Sequence, residues 1–216
     1  MVVLGRRQLV LGASALALTA CGGSGGSGAS NTAASPDDMV LGSPNARATL
    51  IEYASAACPH CAHFHETVWD QLKTNYIDTG KVRFIFREYL TPPPAVALAG
   101  FQLARCGGAT PEQYFARLGE VFRQQQAMFA SGSMEGVRAK LLEIGASSGL
   151  SEDQVMQCIA DSAGAERIRR IEQASQQFNV TGTPTLILNG QKLEDPRAVT
   201  YEGLSQIIDQ ALAAHS

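Results

Sequence analysis

Clustered positive charge is missing from this chain. Its 17 Lys and Arg are outnumbered by 20 Asp and Glu among 216 residues, for a formal charge of -3. They nowhere gather into the basic stripe that nucleic acid or an anionic membrane surface requires, so neither is an expected partner. Long apolar runs are missing too: the stretch from Leu9 to Ala20 is too short to span a bilayer as a mature helix. Cysteine is scarce, with five residues and no second Cys-x-x-Cys, the pair that a four-ligand zinc site would need. No internal repeat is visible. What remains is 45% hydrophobic content, ordinary for a globular protein and enough for one good core or a core with a large insertion.

Residues 1–20 place Arg6 and Arg7 ahead of that apolar stretch, the layout of an export signal, which implies that the mature protein works outside the cytoplasm. The segment Leu18-Thr19-Ala20-Cys21 resembles the lipobox of bacterial lipoproteins, in which the signal is cut before a cysteine whose sulfur is acylated. A plain cleaved signal with a spare Cys21 is the alternative. Parity favours acylation, because removing Cys21 leaves four cysteines, enough for two pairs in an oxidising compartment. Arg6-Arg7 also resembles, loosely, a twin-arginine export signal. Gly22 to Ser35 is nearly all Gly, Ser and Ala, so residues 21–37 read as a lipidated cysteine and a flexible tether reaching roughly 20 Å.

Beyond the tether, Thr49 to Ala54 and Val82 to Tyr89 read as strands, with a helix between them running from about Cys58 through Trp69 and Tyr76 to Gly80. A right-handed crossover makes the two strands a parallel pair. Residues 92–178 become a string of four or five helices, divided by Gly107-Gly108 and by capping boxes at Thr110 to Gln113 and Ser151 to Gln154. Thr185 to Leu188 is then a strand ending in the hairpin turn Asn189-Gly190, and Gln206 to Ala214 closes the chain as an amphipathic helix. The expected architecture is one α/β domain, residues 38–91 plus 179–216, interrupted by a helical insertion at 92–178 that covers the active face.

Within this frame Cys58-Pro59-His60-Cys61 opens the first helix at the carboxyl end of the first strand, where reactive groups commonly sit. Two thiols three apart in a first helical turn can close a small disulfide ring, and the positive end of the helix favours a thiolate on the first. The chemistry is thiol-disulfide exchange. A structural disulfide or a metal site is the alternative: Cys58, Cys61 and His65 fall on one helical face, while His63 and His65 read more simply as ordinary surface or core residues. Glu52, on a strand otherwise made of Leu50, Ile51 and Tyr53, is either turned to solvent or buried beneath the tetrad.

With Glu52, the tetrad and Thr183-Pro184 placed, residues 38 to 216 resemble the DsbA-like periplasmic disulfide oxidoreductases of the thioredoxin superfamily. The resemblance implies a thioredoxin fold with a helical insertion. It makes Cys58 the exposed nucleophile and Cys61 the inner resolving thiol, with His60 lending a hydrogen bond or charge to the Cys58 thiolate and Pro59 shaping the turn. Glu52 would relay protons to Cys61. Pro184 would be cis beside the cysteines, with the backbone of Thr183 free to pair with substrate. A Cys58 pKa at the low extreme known for such thiols would stabilise the reduced form by roughly 5 kcal/mol at neutral pH, making the pair a donor of disulfides. Cys106 and Cys158, inside the insertion, form a structural disulfide on this reading. The sequence departs from the best-known DsbA enzymes in having Thr183 rather than Val before the proline and no aromatics in Ala54-Ser55-Ala56-Ala57.

The resemblance implies a monomeric enzyme without a bound cofactor. Its substrates would be unfolded or reduced exported proteins, and it would be re-oxidised by a quinone-linked membrane protein resembling DsbB. Two other functions compete: a disulfide isomerase or reductase, and a metallochaperone using Cys58, Cys61 and His65. Periplasmic isomerases of the known type carry an N-terminal dimerisation domain, whereas a Gly/Ser stretch stands there in this chain, which favours the oxidase.

Overall fold

The computed structural model describes residues 32–214. The expected export signal and Cys21 lie outside these residues, as does most of the tether. The tether ends earlier than residue 37: Ala33 accepts a hydrogen bond from Arg87, Asp37 pairs with Arg170, and Asp38 lies buried against Arg87 at 3.2 Å. Two carboxylates drawn to two guanidiniums fix a stretch whose composition alone suggests no structure.

A five-stranded sheet has the order β1-β3-β2-β4-β5, from strands β1 (Met39–Leu41), β2 (Ala48–Ala54), β3 (Val82–Glu88), β4 (Thr185–Leu188) and β5 (Gln191–Lys192). β2 and β3 are parallel, with Glu52 opposite Phe86 and Ala54 opposite Glu88; β1 runs antiparallel to β3, and β4 antiparallel to β2. Asn189 and Gly190 both take positive φ, 49° and 84°, the two left-handed residues that a type I′ hairpin between β4 and β5 requires. The Asn189 side chain also accepts from the Thr49 amide at 2.8 Å, tying the turn to β2.

Both faces of the sheet are covered. Leu50, Ala54, Phe84 and Phe86 belong to the larger core, whereas Ile51, Tyr53 and Ile85 pack with Ile171, Phe178 and Val180 on the other side. Burial on two sides explains why the apolar residues of β2 and β3 run consecutively, as in Leu50-Ile51 and Phe84-Ile85-Phe86, rather than alternating.

Between β2 and β3 the expected single helix is broken. Helix α1 spans Pro59–Thr67, α2 spans Trp69–Leu72, and a wider π-helical turn covers Lys73–Ile77. Thr67 Oγ1 donates back to the His63 carbonyl at 2.8 Å, a side-chain bond that competes with the helical ladder, and Val68 opens to φ -116°.

Five helices follow β3: α3 (Pro94–Arg105), α4 (Pro111–Ala130), α5 (Met134–Ser147), α6 (Glu152–Ile159) and α7 (Ser162–Ser175). Reciprocal bonds cap α4 through Thr110 and Gln113, and α6 through Ser151 and Gln154. A disulfide joins Cys106, at the end of α3, to Cys158 in α6. Buried Glu88 binds Arg105, Arg167 and Tyr114, locking α3, α7 and α4 to the end of β3. The last helix, α8, spans Tyr201–Ala214, five residues longer at its start than its apolar pattern suggests, because Thr200 accepts the Gly203 amide there. Among the described residues no helix is long and apolar enough to cross a membrane.

Candidate active site

The carboxyl end of β2 delivers the chain through Ser55, Ala56 and Ala57 to Cys58, the N-cap of α1, with extended backbone at φ -88° and ψ 120°. Pro59 is the first helical residue, where a missing amide is harmless. This geometry turns Cys61 under the helix, fully buried. Cys58 is more covered than the reading as an exposed nucleophile supposes, at 7% exposure, yet it remains the more accessible of the two sulfurs.

Thr183-Pro184 is a cis peptide whose loop lies over the tetrad, and Cys58 Sγ donates to the Thr183 carbonyl at 3.3 Å. The Cys58 thiol is pulled down to about 5, first by its hydrogen bond with Cys61; partial burial opposes this, and the Thr183 hydroxyl and the backbone amides of Cys61 and His60 add to it. The imidazole of His60 is exposed, and the contribution of this residue to the lowered Cys58 pKa comes through its backbone amide. Cys61 is pushed well above the ordinary thiol range by burial, by the bond to Cys58 and by the negative charge of Glu52. The two sulfurs therefore differ in kind, one held as thiolate and the other as thiol.

Glu52 takes the buried option, because β2 has no solvent face. Its carboxyl group meets Nε2 of His65 at 3.0 and 3.2 Å, a hydrogen-bonded pair in which the Glu52 side chain has no exposure and that of His65 has 5%. The His65 ring lies against Trp69 and Phe122. It stands four residues after Cys61, one helical turn on, and that spacing was the available signal. His63 stays at the surface. Among the described residues no group of three or more His, Cys, Asp or Glu is placed to hold a metal ion.

Three further residues escape the sequence reading. Ser55, fully buried, gives its amide to Cys61 Sγ at 3.5 Å and its carbonyl to the Cys58 amide, while its hydroxyl meets Thr91 at 2.8 Å. Gln125 of α4 donates to the carbonyls of Ala56 and Cys58. No motif marks Ser55, Thr91 or Gln125, because each acts through backbone that only the fold brings near. Beside the tetrad, α1, α2 and α4 border an open groove of about 740 Å³, with Trp69, Phe122 and Phe129 along it and His65 in its wall.

The comparisons agree with this geometry. The thioredoxin family model matches residues 34–210. A protein of Rickettsia prowazekii that carries the provisional name protein-disulfide oxidoreductase is 31% identical over 177 residues, covering 82% of this chain; the chain spans 62% of that relative's length. The crystal structure of alpha-DsbA1 from Wolbachia pipientis is 28% identical and superposes with a TM-score of 0.71, covering 84% of this chain and 94% of its own. BdbD of Bacillus subtilis, at 19% identity over 82% of this chain and 94% of its own, shares the fold with a TM-score of 0.67. With the family model matching most of the chain and alpha-DsbA1 alike in both sequence and structure, the chain belongs to the thioredoxin family and has a DsbA-like fold.

Proposed function

We propose that the chain is a thiol:disulfide oxidoreductase that donates its Cys58-Cys61 disulfide to the dithiols of folding exported proteins. The observation that carries this reading is the unequal pair, with Cys58 at about 5 and Cys61 driven the other way. At neutral pH a thiol with that value stabilises the reduced protein by about 3 kcal/mol, or ~60 mV toward oxidising power. This is less than the extreme considered from sequence, and has the same sign.

A substrate thiolate attacks Cys58 Sγ, the Cys58-Cys61 bond breaks, and Cys61 leaves with the electron pair and takes up one proton. The substrate's second thiolate then attacks its own sulfur in the mixed disulfide and releases Cys58 as a stable thiolate. Glu52 relays the proton to Cys61. Pro59 shapes the turn, the amide of His60 steadies the leaving thiolate, and the loop at Thr183 and Pro184 receives the substrate backbone. Cys106 and Cys158 brace the helical insertion at 92–178, which interrupts a thioredoxin-like domain of 38–91 and 179–216.

The protein is exported to the periplasm through the signal at 1–20, held at the membrane by a lipid on Cys21, and acts as a monomer re-oxidised by a quinone-linked partner resembling DsbB. Equilibration of the purified protein with glutathione buffers tests the direction. An oxidising potential is expected, and a strongly reducing one overturns the assignment in favour of a reductase. Thr183, a residue also found in isomerases, favours that second class; rescue of a scrambled-disulfide substrate without a separate isomerase would establish it.

A further inference from the structure

The buried carboxylate raises a question of access. Glu52 has no exposure, so a proton reaching Cys61 through it must first reach Glu52. His65 Nε2 contacts both carboxylate oxygens. Among the described residues, the fully buried side-chain polar atoms without a partner are Arg83 Nε, Gln102 Oε1, Arg167 Nη2 and Thr183 Oγ1. Nδ1 of His65 is not among them, although no hydrogen bond among the described residues engages it, and His65 lines the groove between α1 and α4. One ring nitrogen thus faces Glu52, and the other is not fully sealed off, although the side chain as a whole is only 5% exposed. A histidine can take up a proton at Nδ1 as it gives one up at Nε2.

We infer that His65 connects Glu52 to water in the α1-α4 groove, passing to the buried carboxylate the proton that Cys61 needs when its disulfide opens. This rests on the proposed relay role of Glu52. The step is balanced: the substrate thiolate and the disulfide become a mixed disulfide and a Cys61 thiolate, Glu52 gives its proton to that thiolate, and His65 replaces it with one from water. His65 works through Glu52 and touches neither sulfur. The groups facing it are Glu52 from β2, Phe86 from β3, Phe64 from its own helix, Trp69 from α2 and Phe122 from α4, while His63, Glu66, Asp70 and Arg123 stand along the groove. The aromatic rings on both sides of the imidazole hold it in place and keep other donors from Glu52.

The test follows the opening of the Cys58-Cys61 disulfide in the oxidised full chain by excess dithiothreitol, quenched with acid and counted by thiol alkylation across pH. His65→Ala is expected to slow opening by at least about tenfold, leaving only the pH dependence of the dithiothreitol thiolate itself. Added imidazole restores the rate, and pyrazole, of the same size but scarcely basic, does not. Restoration by both molecules shows a cavity being filled, and restoration by neither shows no proton role; each overturns the inference. His65→Gln, which keeps a hydrogen bond to Glu52 and so guards against misfolding, is expected to be slow as well, and a wild-type rate there also overturns it. Glu52→Gln separates the two readings. If it alone leaves the rate intact, the Glu52 relay has failed; if it is slow while both His65 variants are fast, only the role of His65 has failed.

Discussion

The Cys58 thiol donates to the Thr183 carbonyl at 3.3 Å, while the Thr183 hydroxyl is fully buried without a protein partner. The two facts describe two protonation states of one sulfur. As a thiol it gives its hydrogen to the carbonyl; as a thiolate it accepts one from the hydroxyl, which is then no longer idle.

Thr183→Val therefore removes a donor that matters to the charged form alone. The Cys58 pKa is expected to rise by about one unit and the pair to become ~30 mV more reducing. Thr183→Ser should stay near wild type. Thiolate absorbance followed across pH gives the first value and glutathione equilibration the second; an unchanged pair of values rules out the hydroxyl as donor.

Stability should respond to acid in one redox state. The folded-state pKa of Cys58 is depressed, so its contribution is full above the ordinary thiol value, declines as pH falls, and is gone below about 5. Cys61, shifted upward, stays protonated throughout that range. The reduced protein is expected to lose about 3 kcal/mol relative to the oxidised protein between neutral pH and the region below 5. Urea unfolding of both forms across this range measures it, and parallel curves would contradict the assigned thiolate.

How much of this was legible beforehand depended on the kind of signal. The strands β2 and β3, the hairpin at Asn189-Gly190 and both reciprocal helix caps rest on local chemistry, and local chemistry is written in neighbouring residues. Glu52 was ambiguous because its fate depends on whether a second layer covers the sheet, and Ile171, Phe178 and Val180, which supply that layer, lie more than a hundred residues away. His65 was seen to share a face with Cys61 but read most simply as an ordinary surface or core residue, since its partner is on a strand rather than on its own helix. The break at Val68 is a local backbone change, with φ at -116°, that periodicity does not record.

Gln125→Ala would leave the carbonyls of Ala56 and Cys58 without their side-chain donor. A loss of about 1–3 kcal/mol is expected, together with faster alkylation of Cys58 as the loop loosens. Denaturant titration and alkylation kinetics check the two parts separately, and normal values in both would show that α4 does not restrain the loop.

Replacing Cys106 and Cys158 together by serine opens a link between residues 52 apart in sequence. Stability is expected to fall by about 2–4 kcal/mol, with the Cys58 titration unmoved because neither residue touches the tetrad. A shift in that titration would show that the two pairs communicate.

Gly100 of α3 lies so near the tetrad that a Cβ built on it would come within 2.9 Å of the Cβ of Ala56. No ring fits at position 56 unless that helix retreats, which accounts for the alanine at that one position. Transplanting an aromatic approach to the cysteines from a relative would thus fail as a graft of the loop by itself; the helix behind it has to travel with it.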